Sequence, residues 1–274
     1  MQYTQKQFAD SRQLLYAWFT AMHTRVDLMI FDETAREDLV EIAEKIESEI
    51  LRIESFTNRF DSDSELSLIN KNAFQSEMKV SNEMFQIINE CMLYNQQTFG
   101  FFDITVNSHN KFRQGAINIQ LNPVESSIRY SHPDVQLDVS GFIKGYVMRS
   151  VSNILKAENI DNSLVNIGNS SILAIGSHPY GKAWKISRPD SDNNENCELL
   201  NECLTTSGNT AKTEWKTIHP LSGNAIEKVE AVSVITDDPV VGEVLSTALY
   251  VTNEAESELI LKSFKARKVE WKSL

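Results

Sequence analysis

The spacing of apolar residues along the chain predicts several amphipathic helices. In the segment 37–56 these residues recur every three or four positions, with Glu and Lys between them, which places them on one helical face: Leu39, Ile42, Ala43, Ile46, Ile50 and Ile53. A second helix is expected from Ser81, a suitable N-cap, to about Thr98, where Gly100 follows. Further helices are predicted after Gly141 and at 240–251 and 254–264.

Short runs typical of β-structure predict strands between these helices. They lie at 22–30, 163–168, 171–176, 183–187, 231–236 and 268–272. Helices and strands follow one another in mixed order, which indicates an α+β or mixed α/β fold. The polar segment 190–198 is predicted to be a loop rather than a linker, because β-type sequence resumes on both sides of it. We therefore expect a single domain over residues 1–274.

Composition and charge restrict the classes of partner. Of the 274 residues, 41% are hydrophobic, which is enough for a large core. The formal net charge is -12, from 38 acidic and 26 basic residues. A chain of this charge repels polyanions, so we expect neither nucleic acid nor an anionic membrane surface as a partner.

The location is predicted from the absence of targeting signals. No apolar run is long enough for membrane insertion, and the first residues lack the apolar core of a secretory signal. The three cysteines, Cys91, Cys197 and Cys203, are odd in number and have no metal-type spacing, so we expect free thiols. A cytoplasmic protein is expected, although a leader removed earlier would leave no trace in this sequence.

The segment LDVSGFIKGY, residues 137–146, places a carboxylate, two glycines and a lysine where an apolar run meets a helix. We expect Asp138 to close a strand, Ser140 and Gly141 to form a tight turn, and Lys144 to lie in the first helical turn. The helix start and the ammonium both favour anions, which predicts a phosphate site. An ordinary Ser-capped helix with a surface lysine remains the alternative.

Six further segments are informative when they are considered together with this lysine turn. They are 56–70, which ends in Asn70; 99–106, where Asp103 and Thr105 are expected on one side of a strand; 165–171, with Gly168; 204–209; and 218–226 followed by 240–251. Together and in this order, the segments resemble the ApbE family, the FAD:protein FMN transferases, from Met22 to Val251.

The resemblance implies a fold, a reaction and its partners. The fold is a single mixed α/β unit of two lobes, with FAD bound in the cleft between them. The reaction uses Mg²⁺ to split the FAD pyrophosphate, passes FMN to a Thr or Ser hydroxyl of an acceptor protein, and releases AMP. Both FAD as substrate and an acceptor flavoprotein are therefore expected partners.

The resemblance also assigns candidate site residues. Lys144 matches a lysine that contacts the FAD phosphates or organises the turn around them, and Asp138 matches a carboxylate that orients this turn. The other candidates for the FAD cleft are Met22, Asn70, Asp103, Thr105, Gly168, Thr206, Ser207 and Gly208. Each of the polar or glycine positions among them has a second interpretation as a structural turn former.

The metal site is expected on the helix at 240–251. Glu243 and Thr247 are four residues apart, so they lie on one helical face and offer a carboxylate and a hydroxyl to one ion. In the family an Asp and a Thr at these positions bind the metal together with a backbone carbonyl, here that of Ile143. Hard oxygen ligands of this kind suit Mg²⁺. The alternative is a surface Glu beside a buried Thr.

Several residues depart from the family pattern. Lys216 stands where the usual catalytic His is expected, and His219 stands where an Asp is usual, so these two are the catalytic candidates. Glu243 replaces the metal-binding Asp, Asn169 replaces a second glycine after Gly168, and His23 replaces a glycine. These changes leave two alternatives to an active transferase: a catalytically impaired flavin-binding or scaffold protein, and an interaction module without flavin.

Overall fold

The computed structural model describes residues 1–8, 12–32, 37–111, 113, 115–187, 196–209, 217–227 and 230–269. The α-helices in these ranges are α1 (Leu39–Thr57), α2 (Glu65–Asn72), α3 (Asn82–Gln97), α4 (Ser140–Ala157), α5 (Pro239–Val251) and α6 (Glu254–Leu261). The strands are β1 (Gln2–Gln7), β2 (Gln13–Ala21), β3 (Thr24–Asp32), β4 (Met78–Lys79), β5 (Ile119–Asn122), β6 (Ser127–Tyr130), β7 (Asn162–Ile167), β8 (Ser171–Ile175), β9 (Trp184–Ser187), β10 (Asn196–Leu199), β11 (Glu202–Gly208), β12 (Ala231–Thr236) and β13 (Ala266–Val269).

One antiparallel sheet organises most of the chain. Its eight strands, counted over the described ranges, follow the order β1-β2-β3-β7-β8-β11-β12-β13. Side chains alternate along β2, where Leu15 and Ala17 are buried while Tyr16 and Trp18 point to the other face. The sheet is therefore covered on one face by helices and remains partly open on the other.

Helices α1, α4 and α5 cover the first face of the sheet. The apolar stripe of α1 packs against β2 and α4, and α4 packs against α5. A Cβ added to Gly145 of α4 would lie 2.5 Å from the carbonyl oxygen of Pro239 and 2.7 Å from Cα of Val240. The glycine therefore lets the two helix backbones approach closely, which brings the middle of α5 against α4.

A smaller apolar cluster lies on the opposite face of the sheet. The hairpin β9–β10 contributes Trp184 and Leu199, which pack with Ile172, Leu204 and Ile235. The main core is continuous from β2 and β3 through α1, α3, α4 and α5 to the small sheet β4-β6-β5. This continuity supports the single domain expected over residues 1–274, which stays a prediction.

Most predicted elements are confirmed within a few residues. Ser81 caps α3 by accepting a hydrogen bond from the Met84 amide at 3.1 Å, as its position predicted. The structure also has elements that were not predicted, namely the strands β1, β2, β4, β10 and β11, the short α2 and the hairpin β5–β6. The predicted loop 190–198 is wrong at its end, because Asn196–Leu199 form β10. The terminal strand is described only as far as Val269, so the predicted residues 270–272 lie outside the described chain.

Two further local predictions are wrong. Residues 101–106 form bends and turns, so Asp103 and Thr105 do not lie on a strand. Residues 135–139 are also outside any strand, and helix α4 already begins at Ser140, which places Lys144 in its second turn. All three cysteines are free, as expected. Within the described ranges, none of the helices combines the length and apolar character that crossing a bilayer requires.

Candidate functional site

A polar chain connects helices α4 and α5 through the turn between β7 and β8. The ammonium of Lys144 donates a hydrogen bond to Oγ of Ser170 at 2.8 Å. The neighbouring hydroxyl of Ser171 lies 3.4 Å from that of Ser170 and donates to Oε1 of Glu243. Lys144 and Glu243, which are far apart in sequence, therefore face one turn from two helices.

Glu243 is buried, which excludes the alternative of a surface glutamate. Only 6% of the residue is accessible, and burial raises the pKa of its carboxyl to about 7 against the opposing effects of the Lys144 charge and the Ser171 hydrogen bond. Within the described residues, Oε2 of Glu243 accepts no hydrogen bond. A buried carboxylate oxygen without a donor is a suitable ligand for a cation.

Thr247 lies one turn further along α5 and is only partly buried. Its hydroxyl is 3.4 Å from that of Ser207, and a Cβ added to Gly141 would lie 3.4 Å from the same hydroxyl. The missing side chain at Gly141 therefore keeps a space open beside Thr247. Ile143, whose carbonyl was predicted as a ligand, lies inside α4, where the helical pattern directs that carbonyl toward the Val147 amide.

The start of α4 is occupied by a carboxylate of the protein itself. Asp138 accepts hydrogen bonds from the Ser140 amide at 2.9 Å and from Nδ2 of Asn107 at 2.6 Å, and it forms an ion pair with Arg59. At the helix start, where a phosphate site was predicted, the Ser140 amide is thus already bonded to the Asp138 carboxylate. The orienting role expected of Asp138 agrees with these contacts.

Asn70 holds the segment that leads into α4. Its Nδ2 donates to the Leu137 carbonyl at 2.9 Å, and its Oδ1 accepts from the Leu137 amide at 2.7 Å and from the Tyr130 hydroxyl at 3.0 Å. These contacts occupy both ends of the side-chain amide. The contacts favour the structural interpretation of Asn70 over direct contact with a ligand.

Asp103 and Thr105 form a side-chain turn next to this segment. Oδ1 of Asp103 accepts from the Thr105 amide at 2.7 Å and from the Thr105 hydroxyl at 2.6 Å. Burial raises the pKa of Asp103, while these hydrogen bonds and the charge of Arg113 oppose the shift. The intervening Ile104 carbonyl accepts from the Asp138 amide at 2.7 Å, so the two segments are joined.

The turns at Met22 and Gly168 lie side by side. Met22 is half-buried at the β2–β3 turn, and a Cβ added to Gly168, whose φ is +64°, would lie 2.7 Å from Oγ1 of Thr24. The Gly168 amide also donates to the Arg25 carbonyl at 2.9 Å. This end of the sheet leads directly to Ser170 and Ser171.

Strand β11 places the predicted residues 206–208 beside the same turn. The Thr206 amide donates to the Ser170 carbonyl at 2.7 Å, and the Thr206 hydroxyl lies 2.8 Å from that of Ser233. Ser207 reaches α5, where its hydroxyl is 2.8 Å from that of Ser246. Gly208 ends the strand against the Glu230–Ala231 backbone.

His219 belongs to a separate loop. Its Nδ1 accepts from the amides of Leu221 at 3.3 Å and Ser222 at 3.4 Å, and its ring packs edge-on against Phe101 at 5.9 Å. Among the described residues, no hydrogen bond or ion pair joins His219 to Lys144 or Glu243. Lys216, the other catalytic candidate, lies outside the described residues.

The family follows from comparison with known proteins. The model of the ApbE family matches residues 22–270, which is most of the chain. The chain belongs to the ApbE family. A protein of Chlamydia trachomatis named FAD:protein FMN transferase is 25% identical over 264 residues, covering 84% of this chain and 82% of that protein. A protein of the same name from Haemophilus influenzae is 24% identical and covers 77% of this chain and 72% of its own length.

Solved structures share the ApbE fold. The flavin transferase ApbE from Vibrio cholerae matches with a TM-score of 0.78 at 19% identity, covering 97% of this chain and 93% of that one. The apo flavinyl transferase ApbE from Pseudomonas stutzeri matches with a TM-score of 0.80 at 19% identity, covering 93% and 89%. The mixed α+β fold predicted from the sequence is therefore confirmed.

Three departures from the ApbE pattern lie in turns that their side chains or backbone conformations suit. His23 has φ +57° and Asn169 has φ +58°, the left-handed conformation that glycine adopts at little cost. Asn169 turns its side chain back, so that its Oδ1 accepts from Nδ2 of Asn166 at 2.8 Å. At His219, Nδ1 accepts two following amides, a role that an Asp side chain performs in many turns.

Four residues of this ApbE site were not predicted from the sequence. Ser170 and Ser171 bond Lys144 and Glu243, Arg59 pairs with Asp138, and Arg113 donates to the Gly223 carbonyl at 3.2 Å. The sequence signal for the two serines was weak, because serine is a common residue in turns. One sequence feature could have indicated Ser171, because it is a serine at the first position of a strand that is otherwise predicted to be apolar.

Proposed function

We propose that this chain is a Mg²⁺-dependent FAD:protein FMN transferase, which splits FAD and transfers FMN to a Thr or Ser hydroxyl of an acceptor protein, releasing AMP. The observation that carries the proposal is the approach of Lys144 and Glu243 to one turn in a member of this family. The curated relatives bear the name of this activity. They give no support to an impaired protein or to a flavin-free interaction module.

The oxygen atoms near α5 fit the proposed metal. Oε2 of Glu243 is buried without a hydrogen-bond donor among the described residues, and the Thr247 hydroxyl borders the space left by Gly141. Within the ranges described, no group of three or more His, Cys, Asp or Glu side chains is arranged so that it could hold a metal ion. The two side-chain oxygens would hold Mg²⁺, which usually keeps waters and phosphate oxygens as its other ligands. The Ile143 carbonyl, whose first lone pair faces the Val147 amide inside α4, would contribute only through its second lone pair.

When bound, Mg²⁺ would neutralise charge on the pyrophosphate of FAD. The protein's own part is to bind and orient this pyrophosphate. Lys144 is half-buried, uses one of its three N–H donors on Ser170, and forms no ion pair among the described residues, which leaves it free to donate to phosphate oxygens. Its positive charge therefore lies where the charge of a leaving phosphate develops.

The transfer step needs an acceptor hydroxyl near the pyrophosphate. The hydroxyl oxygen forms a bond to the phosphorus on the FMN side, the bond from this phosphorus to the bridging oxygen breaks, and AMP leaves with that oxygen. The hydroxyl proton passes to a base, for which Lys216 and His219 are our candidates. His219 Nδ1 is occupied by backbone amides, so its free nitrogen is Nε2.

Three further assignments belong to this proposal. We propose that the remaining cofactor-binding candidates position FAD chiefly by shaping the backbone around it: Met22, Asn70, Asp103, Thr105, Asp138, Gly168, Thr206, Ser207 and Gly208. We also propose that residues 1–274 act as one domain and that the protein is cytoplasmic. The three free thiols support a reducing compartment, and cell fractionation tests the location.

The experiment is a transfer assay on the purified full chain. The protein is incubated with FAD and either Mg²⁺ or EDTA, with a threonine-containing acceptor peptide, and AMP and flavinylated peptide are quantified by chromatography and mass spectrometry. AMP release that requires Mg²⁺ and is lost in Glu243→Gln is the expected result. No AMP under any condition contradicts the function, and AMP that persists in EDTA contradicts the metal.

A further inference from the structure

Ser171 is a polar residue in an otherwise apolar buried strand. It is fully buried at the start of β8, whose next residues are Ile172, Leu173 and Ala174. Because side chains alternate along a strand, Ser171 shares the helix-facing side with Leu173. A hydroxyl at such a position needs a hydrogen-bond partner, and its partner is Oε1 of Glu243.

Glu243 is also given space by α4. A Cβ added to Gly145 would lie 2.9 Å from Cγ of Glu243, so the glycine leaves room for the longer side chain. The Ser171 hydroxyl then holds one carboxylate oxygen, while the other accepts no hydrogen bond among the described residues. The carboxylate is thus held at one oxygen and available at the other.

We propose that Ser171 is a positioning residue, which fixes the Glu243 carboxylate so that its second oxygen is directed to the metal position, and which thereby allows this chain to use Glu in place of the shorter Asp. The inference rests on the proposed function, because it assumes that Glu243 binds Mg²⁺. A carboxylate that is already held by a hydrogen bond loses less rotamer freedom when it binds an ion. Removal of a group that hydrogen-bonds a metal ligand commonly lowers metal affinity about 10-fold to 100-fold.

A matched control is available in the same sheet. Ser163 is also fully buried, and its hydroxyl donates to the Met29 carbonyl at 2.8 Å, away from Glu243. Ser163→Ala therefore removes a comparable buried hydroxyl without touching the carboxylate. Ser171→Thr and Ser171→Val form a second pair, because Thr and Val have nearly the same shape and differ in the hydroxyl.

The experiment measures the affinity of the full chain for Mn²⁺, a paramagnetic substitute for Mg²⁺, by electron paramagnetic resonance in the presence of ADP. We expect Ser171→Ala to weaken Mn²⁺ binding about 10-fold or more, and Ser163→Ala to bind as wild type. In a Glu243→Asp background the same Ser171→Ala change should have little effect, because the shorter carboxylate does not reach the serine. Thermal unfolding verifies that each variant is folded.

Four outcomes overturn the inference. If wild type binds Mn²⁺ and Ser171→Ala binds it equally well, the hydroxyl has no positioning role. If Ser171→Ala weakens binding equally in the Glu and Asp backgrounds, the serine acts on the fold and not on the carboxylate. If wild type itself does not bind Mn²⁺, the metal centre of the proposed function fails as well. Should Ser171→Ala not fold, equal Mn²⁺ binding by the Thr and Val variants likewise shows that the hydroxyl has no positioning role.

Discussion

Lys144 and Glu243 approach the same pair of serines from two different helices. The ammonium of Lys144 donates to Ser170 at 2.8 Å, and the carboxylate of Glu243 accepts from Ser171. Their opposite charges are therefore close but separated by hydroxyls rather than joined in an ion pair. Such a separation leaves the cation available to a phosphate and the anion available to a metal.

Replacement of Lys144 by Ala should weaken FAD binding. A hydrogen bond from an ammonium to a phosphate contributes about 1.5–3 kcal/mol, so we expect affinity to fall about 10-fold or more. Flavin fluorescence titration measures the dissociation constant. Lys156→Ala is the control, because Lys156 is exposed in the last turn of the same helix. Equal affinities for both variants would remove Lys144 from the site.

The buried Glu243 should make stability depend on pH in the absence of metal. Its pKa is about 7 in the folded protein against 4.5 for an unperturbed glutamate, so the folded state holds the proton that the unfolded chain has lost. The stability contributed by this proton is complete below pH 4.5 and is lost as pH rises through about 7. This pKa shift corresponds to about 3 kcal/mol in the free energy of unfolding.

Urea unfolding of wild type and Glu243→Gln in EDTA, at pH values from 4.5 to about 8, measures this dependence. The variant should become more stable relative to wild type as pH increases, because Gln cannot ionise. A difference in free energy of unfolding that stays constant with pH would contradict the assigned environment of Glu243.

The main helices were predictable because their apolar residues repeat at helical spacing. The stripe from Leu39 to Ile53 defines α1, and Ser81 marks the start of α3 by its cap. Strand β2 was not predicted, because the less buried face of the strand also carries Leu14, Tyr16 and Trp18, so that its alternating burial is not visible as alternating polarity. Segment 99–106 was misassigned because its apolar run packs as turns around Asp103.

The site was predictable as a set of residues but not as an arrangement. Spacing placed Glu243 and Thr247 on one helical face, which depends only on local geometry. That Lys144 reaches Ser170 and that Asn107 and Arg59 bind Asp138 depend on tertiary packing, which periodicity does not encode. The burial of Glu243 was not predictable from the sequence either, because Glu is usually at the surface and becomes buried only where the fold supplies partners.

Replacement of Gly145 by Ala should destabilise the contact between α4 and α5. The added Cβ would meet the backbone of Pro239 at 2.5 Å and of Val240 at 2.7 Å, and backbone atoms cannot rotate away. We expect a loss of about 1–3 kcal/mol in the free energy of unfolding. Gly181→Ala is the control, since its added Cβ would have no atom nearer than 3.5 Å. Similar stabilities of the two variants would show that the helices move apart without penalty.

Restoring the usual ApbE residues in the 216–219 segment should increase FMN transfer. Lys216 is charged at neutral pH unless it is desolvated, so it is a poor base for the acceptor hydroxyl, whereas a histidine at that position titrates near neutrality. An Asp at 219 keeps an acceptor for the amides of Leu221 and Ser222, so the loop should retain its turn.

We therefore expect Lys216→His with His219→Asp to raise the transfer rate about 100-fold, at the lower end of what a general base contributes. Flavinylated acceptor peptide is quantified against time for wild type, the double variant and His219→Asp alone. The single variant should transfer no faster than wild type, because it supplies acceptors to the turn but no base. A wild-type rate as high as that of the double variant would mean that Lys216 or His219 removes the proton as efficiently as the usual histidine, and that the departures from the family pattern have no catalytic consequence.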